Sequence, residues 1–286
     1  MRMAWGLFAA GWMLISSASV CAAPLSYAGG DYTQSFDGLP LSDGILPPST
    51  TITGQGPHDL NGQLGSTGLD GWTISNFGGS SGNTEFRAQD GSLAGSNGRG
   101  VVSFGTDNST ERALGVLATS NQISRFGLSL VNDTGAPFTK LQIAFTGEQW
   151  RRGNVPTPPA TIPDLLAFSY TITGVPTDNI NTGTFTDVAA LSYTSPNTQA
   201  APTEVALDGN AAGNQVALSH TIGGINWGPG EALILRWTGQ DITGQDDGLA
   251  VDSLRVTAGV PEPATTVLAV LAACGVALVR RQRNMD

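Results

Sequence analysis

The sequence predicts an all-β protein, an antiparallel β-sandwich of the jelly-roll kind, with a signal peptide before it and a single membrane helix after it. Two observations predict the sandwich. Apolar residues alternate with polar residues in several short runs, and turn-forming residues such as glycine, asparagine, aspartate and proline separate these runs. A third observation predicts the flanking segments, because a sustained apolar stretch stands at each end of the chain.

The first 22 residues have the layout of a secretory signal peptide. Arg2 precedes an apolar stretch over residues 3–15, and small residues follow up to Ala23. Cleavage after Ala22 would leave a mature domain that begins at residue 23. Cys21 leaves a second interpretation open, in which a lipid attached to this cysteine tethers the protein.

Residues 23–258 are expected to form the β-sandwich domain. The clearest alternation of apolar and polar residues lies in 141–146 and 166–173, and similar alternation occurs in 126–130, 216–222 and 233–237. A period of two residues is typical of a strand with one face on the core. Many short strands separated by turn residues favour a sandwich of two antiparallel sheets, and we expect a jelly roll.

The charge balance of the chain limits its partners. The sequence has 13 basic and 23 acidic residues, which gives a formal net charge of −10. Nucleic acid and anionic lipid surfaces are therefore poor partners, whereas cations are favoured. The two cysteines, Cys21 and Cys274, lie in the signal peptide and in the C-terminal segment. The exported domain is thus expected to have no disulfide.

The C-terminal segment, residues 259–286, has the features of a single membrane span. Residues 264–279 carry no charge. As a helix they would be about 24 Å long, and flanking arginines can compensate for the difference from a bilayer core of about 30 Å. Arginines follow this run, which predicts a cytoplasmic C-terminus with the rest of the chain outside. The residues that define the segment are Pro261, Glu262, Pro263, Arg280, Arg281 and Arg283.

This arrangement of a Pro-Glu-Pro tripeptide, an apolar run and a basic tail resembles the PEP-CTERM sorting signal of Gram-negative bacteria that make exopolysaccharide. The resemblance implies that an exosortase recognises the chain in the inner membrane and cleaves it near the tripeptide. It also implies delivery to the cell surface or the extracellular matrix.

The domain itself resembles a recurring, unnamed extracellular β-domain of PEP-CTERM proteins and secreted bacterial multidomain proteins. The most specific match is the Gly-Glu-Gln-Trp-Arg string at 147–151, and the other matching segments lie between residues 112 and 252. Asp247 stands where such proteins often carry a histidine. No activity is attached to this family, so the resemblance implies a fold and an extracellular setting only.

The residues needed for several common catalytic sites are scarce. His58 and His220 are the only histidines. His220 shares its strand parity with apolar neighbours and is expected to be partly buried, and His58 is expected to lie in a loop. No nucleophile turn of the Gly-x-Ser-x-Gly type is present, and few residues could serve as zinc ligands. Serine-triad hydrolases and zinc enzymes are therefore disfavoured.

Glu148, Trp150 and Arg151 are candidate ligand-binding residues. A tryptophan ring can stack on a sugar, and a neighbouring carboxylate can accept hydrogen bonds from sugar hydroxyls. A structural role fits the same residues, with Glu148 in a salt bridge to an arginine of a neighbouring strand and Trp150 covering the edge of the core. A glycan hydrolase would use Glu148 together with an aspartate as the second carboxyl group.

Four aspartates are candidate metal ligands, because calcium takes six to eight oxygen ligands from carboxylates, carbonyls and waters. The parity of apolar residues changes between 249–251 and 254–256, which predicts a β-bulge at Asp252. In jelly-roll carbohydrate-binding modules, which this arrangement resembles, an aspartate near the last strand joins a first-strand residue around structural calcium. The alternative is that these acids cap turns. The candidates are Asp37, Asp246, Asp247 and Asp252.

Two functions stay open. The first is a non-catalytic exported module that is associated with exopolysaccharide or with the cell surface. The second is a secreted glycan hydrolase that uses Glu148 and an aspartate. Burial of Glu148 against an arginine would favour the first, whereas an open cleft with two carboxyl groups roughly 5 to 9 Å apart would favour the second.

Overall fold

The computed structural model describes residues 23–42, 49–53, 56–63, 66–77, 83–93, 99–118, 123–154, 163–177, 179–198, 203–241 and 246–260. The signal peptide predicted over 1–22, the sorting tripeptide and the membrane helix predicted over 264–279 lie outside these residues. Among the described residues, no helix is both long enough and apolar enough to cross a bilayer.

The described chain is built from strands, as the sequence predicts. One helical turn at Leu60–Gln63 and two short 3-10 helices, at Ala189–Leu191 and Ala212–Asn214, interrupt them. The strands are β1 (Leu25–Tyr27), β2 (Asp31–Gln34), β3 (Ser49–Thr53), β4 (His58–Asp59), β5 (Trp72–Phe77), β6 (Asn83–Gln89), β7 (Gly100–Phe104), β8 (Ala113–Leu117), β9 (Ile123–Asn132), β10 (Phe138–Arg152), β11 (Leu165–Thr173), β12 (Thr186–Asp187), β13 (Tyr193–Thr194), β14 (Val205–Ala206), β15 (Gln215–Trp227), β16 (Ala232–Gly239) and β17 (Gly248–Gly259).

These strands form two sheets. The eight-stranded sheet has the order β12-β11-β16-β9-β5-β4, with β1 beside β9 and β13 beside β11. The nine-stranded sheet has the order β14-β10-β17-β8-β7-β6-β3, with β15 beside β10 and β2 beside β17. Most pairs are antiparallel, and the exceptions among the described strands are β1 with β9 and β6 with β7. The β-sandwich is therefore confirmed, and the finer expectation of a jelly roll stays a prediction.

The core lies between the two sheets and is centred on Trp237 of β16. Its ring stacks on Phe126 at 5.4 Å between centroids and meets the edge of Phe168 at 5.0 Å. From the opposite sheet, Phe145 of β10 meets the same indole ring at 5.7 Å with an interplanar angle of 83°. Aromatic contacts of this kind stabilise a core beyond their buried area, and here they join the two sheets.

The nine-stranded sheet has a second face, turned away from this core, which we call the outer face. At one end of the sheet the outer face is itself covered, and a small buried cluster forms there from Val102, Phe104, Ala113, Trp150 and Ala250. The backbone N–H of Leu207 donates to the Trp150 carbonyl at 2.9 Å, which brings the segment after β14 over this end. Further along β10 the outer face is open, since Lys140 and Gln142 are exposed.

Candidate functional site

Glu148 stands on the covered part of the outer face, where β10 runs between β15 and β17. It pairs directly with Gln215 of β15 and Ala250 of β17, and its side chain is 0% exposed. Its Oε2 accepts a hydrogen bond from the Trp150 indole at 2.8 Å, and its Oε1 accepts one from the Gln215 amide at 3.3 Å. Among the described residues, no ion pair joins Glu148 to an arginine, so the salt bridge considered from the sequence is not formed there.

Asp252 lies on the adjacent strand, at an irregularity in β17. Thr146 of β10 pairs with Asp252 and Ala144 pairs with Arg255, so two residues of β17 face Phe145 alone. This is the β-bulge that the parity change predicts at this point. The first bulged residue, Ser253, has a φ of 51°, and its hydroxyl donates to Asp252 Oδ2 at 3.0 Å. The other oxygen, Oδ1, is buried and accepts no hydrogen bond from the described residues.

Glu111 completes the site from the turn that precedes β8. Its Oε2 accepts a hydrogen bond from the Asn210 side-chain amide. One carboxylate oxygen from each of Glu111, Glu148 and Asp252 lies within 4.8 Å of the others, and we call this group the carboxylate cluster. Two ligands about 2.4 Å from one calcium ion are at most ~4.8 Å apart, so these three oxygens could bind the same ion.

Burial and nearby negative charges favour the protonated forms of Glu148 and Asp252. Desolvation, with smaller contributions from the negative charges of Asp252 and Glu111, raises the pKa of Glu148 to about 8 against the hydrogen bonds from Trp150 and Gln215. Desolvation also raises the pKa of Asp252 to about 6, opposed by hydrogen bonds from Ser253. A bound divalent cation would reverse this balance, because it stabilises the ionised form of each ligand.

The structure places Trp150 and Arg151 inside the protein. Trp150 is 1% exposed and stacks on Phe104 with an interplanar angle of 9°. A Cβ on Gly209 would lie 2.3 Å from this indole, so the glycine packs directly on the ring. Arg151 is 2% exposed, donates to the Gly91 carbonyl at 3.0 Å and forms an ion pair with Glu204. Both side chains therefore hold loops against the sheet.

The four aspartates predicted as metal ligands fall in different places. Asp252 joins the carboxylate cluster, and Asp37 is exposed and accepts a hydrogen bond from the Ser35 hydroxyl at 2.9 Å. Asp246 is buried. Asp247 accepts hydrogen bonds from the Gln149 side chain at 2.8 Å and from the Gly153 backbone at 2.6 Å.

Asp247 also contacts a carboxyl group that the sequence did not indicate. Its backbone N–H donates to the side chain of Asp164, which is 4% exposed. Desolvation raises the pKa of Asp164 to about 8, with a further contribution from the charge of Asp247. Desolvation likewise raises the pKa of Asp247. Asp164 and Asp247 thus form a second carboxyl pair, separate from the carboxylate cluster.

The sequence also gave no indication of Glu111. Its partner Asp252 lies far along the chain, and the two meet because β8 pairs with β17 in the register that places Leu114 opposite Val251. A predicted order of strands in the sheet is the signal that could have identified it.

Both histidines differ from the expectation, since His58 lies in a strand and not in a loop. His220 is exposed, not partly buried, because β15 is bonded to β10 along one side only among the described strands. His58 begins the two-residue strand β4 and is half-buried.

The fold is that of an all-β protein, and the carboxylate cluster is a candidate cation site. No protein-family model and no curated protein matches the sequence. A structure of TmCBM61 in complex with beta-1,4-galactotriose is 8% identical, with 66% of this chain and 88% of that chain covered and a TM-score of 0.29. The CBM22-1 xylan-binding domain from Paenibacillus barcinonensis Xyn10C is 10% identical, with 82% and 98% covered and a TM-score of 0.31. The K1 cleaved adhesin domain of Lys-gingipain from Porphyromonas gingivalis W83 is 12% identical, with 81% and 99% covered and a TM-score of 0.31. Similarity at this level transfers no residue role to the chain.

Proposed function

We propose that this chain is an exported, non-catalytic β-sandwich module, associated with extracellular polysaccharide or the cell surface, that binds a structural calcium ion. The ligands of the ion are Glu111, Glu148 and Asp252. The observation that carries the proposal is the complete burial of Glu148 inside a group of three carboxylates, with no basic residue of the described part of the chain paired to it. The buried Oδ1 of Asp252, which accepts no hydrogen bond from the described residues, adds a second ligand atom that needs a cation or a donor.

The same geometry disfavours the hydrolase alternative. Glycosidases use two carboxyl groups about 5–5.5 Å apart when they retain configuration and roughly 6.5–9.5 Å apart when they invert it, with a substrate between them. Glu148 has no exposed surface for a substrate to reach, so burial, and not the spacing of the carboxyl groups, argues against catalysis. The site fits the binding of a structural ion better than the hydrolysis of a glycan, because an ion needs no open cleft.

The sequence at the C-terminal end of the chain supports an extracellular setting for the module. The resemblance of Pro261, Glu262 and Pro263 and the segment after them to a PEP-CTERM signal supports processing by an exosortase. The protein would pass through the inner membrane as an intermediate, anchored by the helix predicted over 264–279, and would then reach the cell surface or the extracellular matrix.

A polysaccharide array tests this function with the purified full chain, probed once in millimolar calcium and once in a chelator. We expect binding to at least one polysaccharide in calcium, weaker binding in the chelator, and no release of reducing sugar in either. Glu148→Gln is the matched variant, because it removes one charge from the cluster and keeps the shape of the side chain. Reducing sugar that is released by the wild type and not by Glu148→Gln would favour the hydrolase instead.

A further inference from the structure

We propose that two copies of this chain associate through β15, whose free edge pairs with the same edge of the second copy and joins the two nine-stranded sheets into one. The two copies are related by a two-fold axis that passes beside Ser219. This inference goes beyond the proposed function, because the contact needs neither calcium nor a polysaccharide.

Strand β15 is long for the edge of a sheet. Eight of the described strands have a single described partner, and seven of these eight are two to five residues long. The eighth is β15, which has 13 residues and pairs with β10. Along its other side, the backbone N–H and C=O groups bond to no described strand. A strand from another chain can pair with such groups.

The sequence of β15 lacks the features that usually protect an edge strand. Proteins place charged residues, proline or a bulge on an exposed edge, because these features prevent pairing with another chain. The 13 residues of β15 include no lysine, arginine, aspartate, glutamate or proline. Its pairing with β10 is regular from Gln215 to Gly223, and the irregularity lies beyond Gly223. Residues 215–223 thus form a regular edge of nine residues.

This stretch is exposed on both faces of the sheet. Ser219 lies on the outer face and is exposed. On the opposite face Val216 is 38% exposed and His220 is also exposed, although Ile143, the β10 residue that pairs with His220, is fully buried. The described part of the chain therefore leaves both faces and one edge of β15 accessible to a second strand.

The regular stretch is self-complementary about its midpoint. Ser219 is the middle residue of 215–223, so a two-fold axis beside it pairs all nine residues with the same nine of the second copy. Val216 then lies opposite Ile222 of the partner subunit, and Leu218 lies opposite His220 of the partner subunit. Each pair brings together side chains of the same face, as an antiparallel ladder requires. The contact covers the exposed side chain of Val216.

Charge favours β15 over the other edges as a contact between copies. The chain has a net charge of −10, so two copies repel each other over most of their surface. Three of the shorter edge strands carry an aspartate, namely Asp31 in β2, Asp59 in β4 and Asp187 in β12. Pairing of β15 with itself brings no carboxylate of either strand into the contact.

The size of the contact indicates a weak dimer. Nine residues of a strand are about 30 Å long and two packed sheets are about 10 Å apart, so each copy contributes roughly 300 Å². Stable complexes bury about 800 Å² on each partner. We therefore expect an association that is reversible and depends on protein concentration.

Disulfide trapping tests the pairing in the full chain, with Cys21 and Cys274 replaced by alanine. Ser219→Cys should form an intermolecular disulfide, because the Cα atoms of directly paired residues are about 4.5–5.5 Å apart, within the range of a disulfide. Ala217→Cys is the matched control on the same face. Its two introduced thiols would be four residues apart along the strand, about 13 Å, and should not react.

A mixture of two variants tests the register. Ala217→Cys and Thr221→Cys should each give little disulfide alone, because each position is about 13 Å from its own copy across the axis. Mixed together, the two variants should form a disulfide with each other, since residue 217 of one copy lies opposite residue 221 of the other.

Sedimentation of the full chain in a mild detergent provides a second measurement. Ser219→Lys should weaken the association at least tenfold, because it places two like charges opposite each other at the axis. Asn226→Lys is the control, since it adds the same charge to an exposed residue of β15 beyond the regular stretch, and it should leave the association unchanged. Circular dichroism checks that both variants fold.

Three results would overturn the β15 dimer. The first is trapping of Ala217→Cys as fast as Ser219→Cys, which would mean random collision. The second is equal association of Ser219→Lys and Asn226→Lys, which would assign the association to another surface. The third is a wild-type chain that stays monomeric up to about 1 mM. If Ser219→Lys does not fold, the comparison of the cysteine variants decides alone.

Discussion

The indole Nε1 of Trp150 donates a 2.8 Å hydrogen bond to Oε2 of Glu148, two residues earlier on the same strand, and both side chains are buried. The specific Gly-Glu-Gln-Trp-Arg string thus orients a carboxylate, rather than presenting an aromatic ring to solvent. The bond keeps Glu148 turned toward Asp252 and Glu111, so the tryptophan supports the carboxylate cluster without contacting an ion itself.

Loss of this hydrogen bond should destabilise the protein. Trp150→Phe and Trp237→Phe both shorten a buried indole, but Trp237 Nε1 has no hydrogen-bond partner among the described residues. We expect Trp150→Phe to lower the free energy of unfolding by about 1–3 kcal/mol more than Trp237→Phe, because it leaves a buried oxygen of Glu148 without its donor. Urea denaturation measures both values, and equal losses would show that the bond contributes nothing.

Calcium should raise the melting temperature through Asp252. At a hundredfold excess over its dissociation constant, an ion that binds only the folded state adds about 2.7 kcal/mol, which corresponds to several degrees. Asp252→Asn and Glu111→Gln should abolish this rise. Asp37→Asn removes an exposed acid outside the cluster and should retain it. A chelator that leaves the wild-type melting temperature unchanged would disprove the site, and loss of the rise in Asp37→Asn would restore Asp37 as a ligand.

Stability without calcium should fall as the pH rises. The pKa of Glu148 is raised from 4.5 to about 8 and that of Asp164 from 3.8 to about 8, so the folded state binds more protons than the unfolded state between these values. The free energy of unfolding therefore decreases between about pH 4 and pH 8. Glu148→Gln should reduce this decrease, and calcium should stabilise most at the alkaline end. Melting curves in a chelator from pH 4.5 to 8.5 measure the slope, and a rising or flat profile would contradict the assignment.

The contact between Gly209 and Trp150 should not tolerate a methyl group. A Cβ at Gly209 would lie 2.3 Å from the indole, whereas a Cβ at Gly213, in the same segment, would meet nothing within 4 Å. Gly209→Ala should therefore lower the free energy of unfolding by about 1–3 kcal/mol through overpacking. Gly213→Ala should change it by less than about 0.5 kcal/mol, as is usual for surface substitutions. Equal effects in chemical denaturation would mean that this segment does not pack on the ring as described.

The proposed sorting role of the Pro-Glu-Pro tripeptide can be tested independently of the fold. Replacing Pro261, Glu262 and Pro263 with alanines should leave an uncleaved protein in the inner membrane, because the exosortase would no longer recognise it. Cell fractionation and immunoblotting measure its size and location. Release of the altered protein in its usual amount and size would refute the sorting signal.

The strands were predictable because burial on one face leaves a period of two in the sequence. The alternation in 141–146 lies within β10, and that in 166–173 lies within β11. The bulge at Asp252 was predictable for the same reason, since a change of parity marks an extra residue.

The carboxylate cluster was not predictable in the same way. Glu111 and Asp252 are neighbours only because β8 pairs with β17, and the order of strands in a sheet depends on the whole fold. The burial of Trp150 depends on the segment that carries Gly209, which packs on the outer face and leaves no periodic pattern. The local alternation of apolar and polar residues predicts which residues form a strand. It does not predict which segment covers the second face of that strand.

Strand β17 ends at Gly259 and is the last strand of the described chain, yet it lies inside the nine-stranded sheet, with β10 along one side and β8 and β2 along the other. The strand that joins β10 to β8 and β2 is therefore the last of the described strands to be synthesised. Without β17, β8 keeps β7 and β10 keeps β15 as neighbours, but no other described strand joins these two parts of the sheet. A chain with this strand order can complete the nine-stranded sheet only after almost all of it has been made.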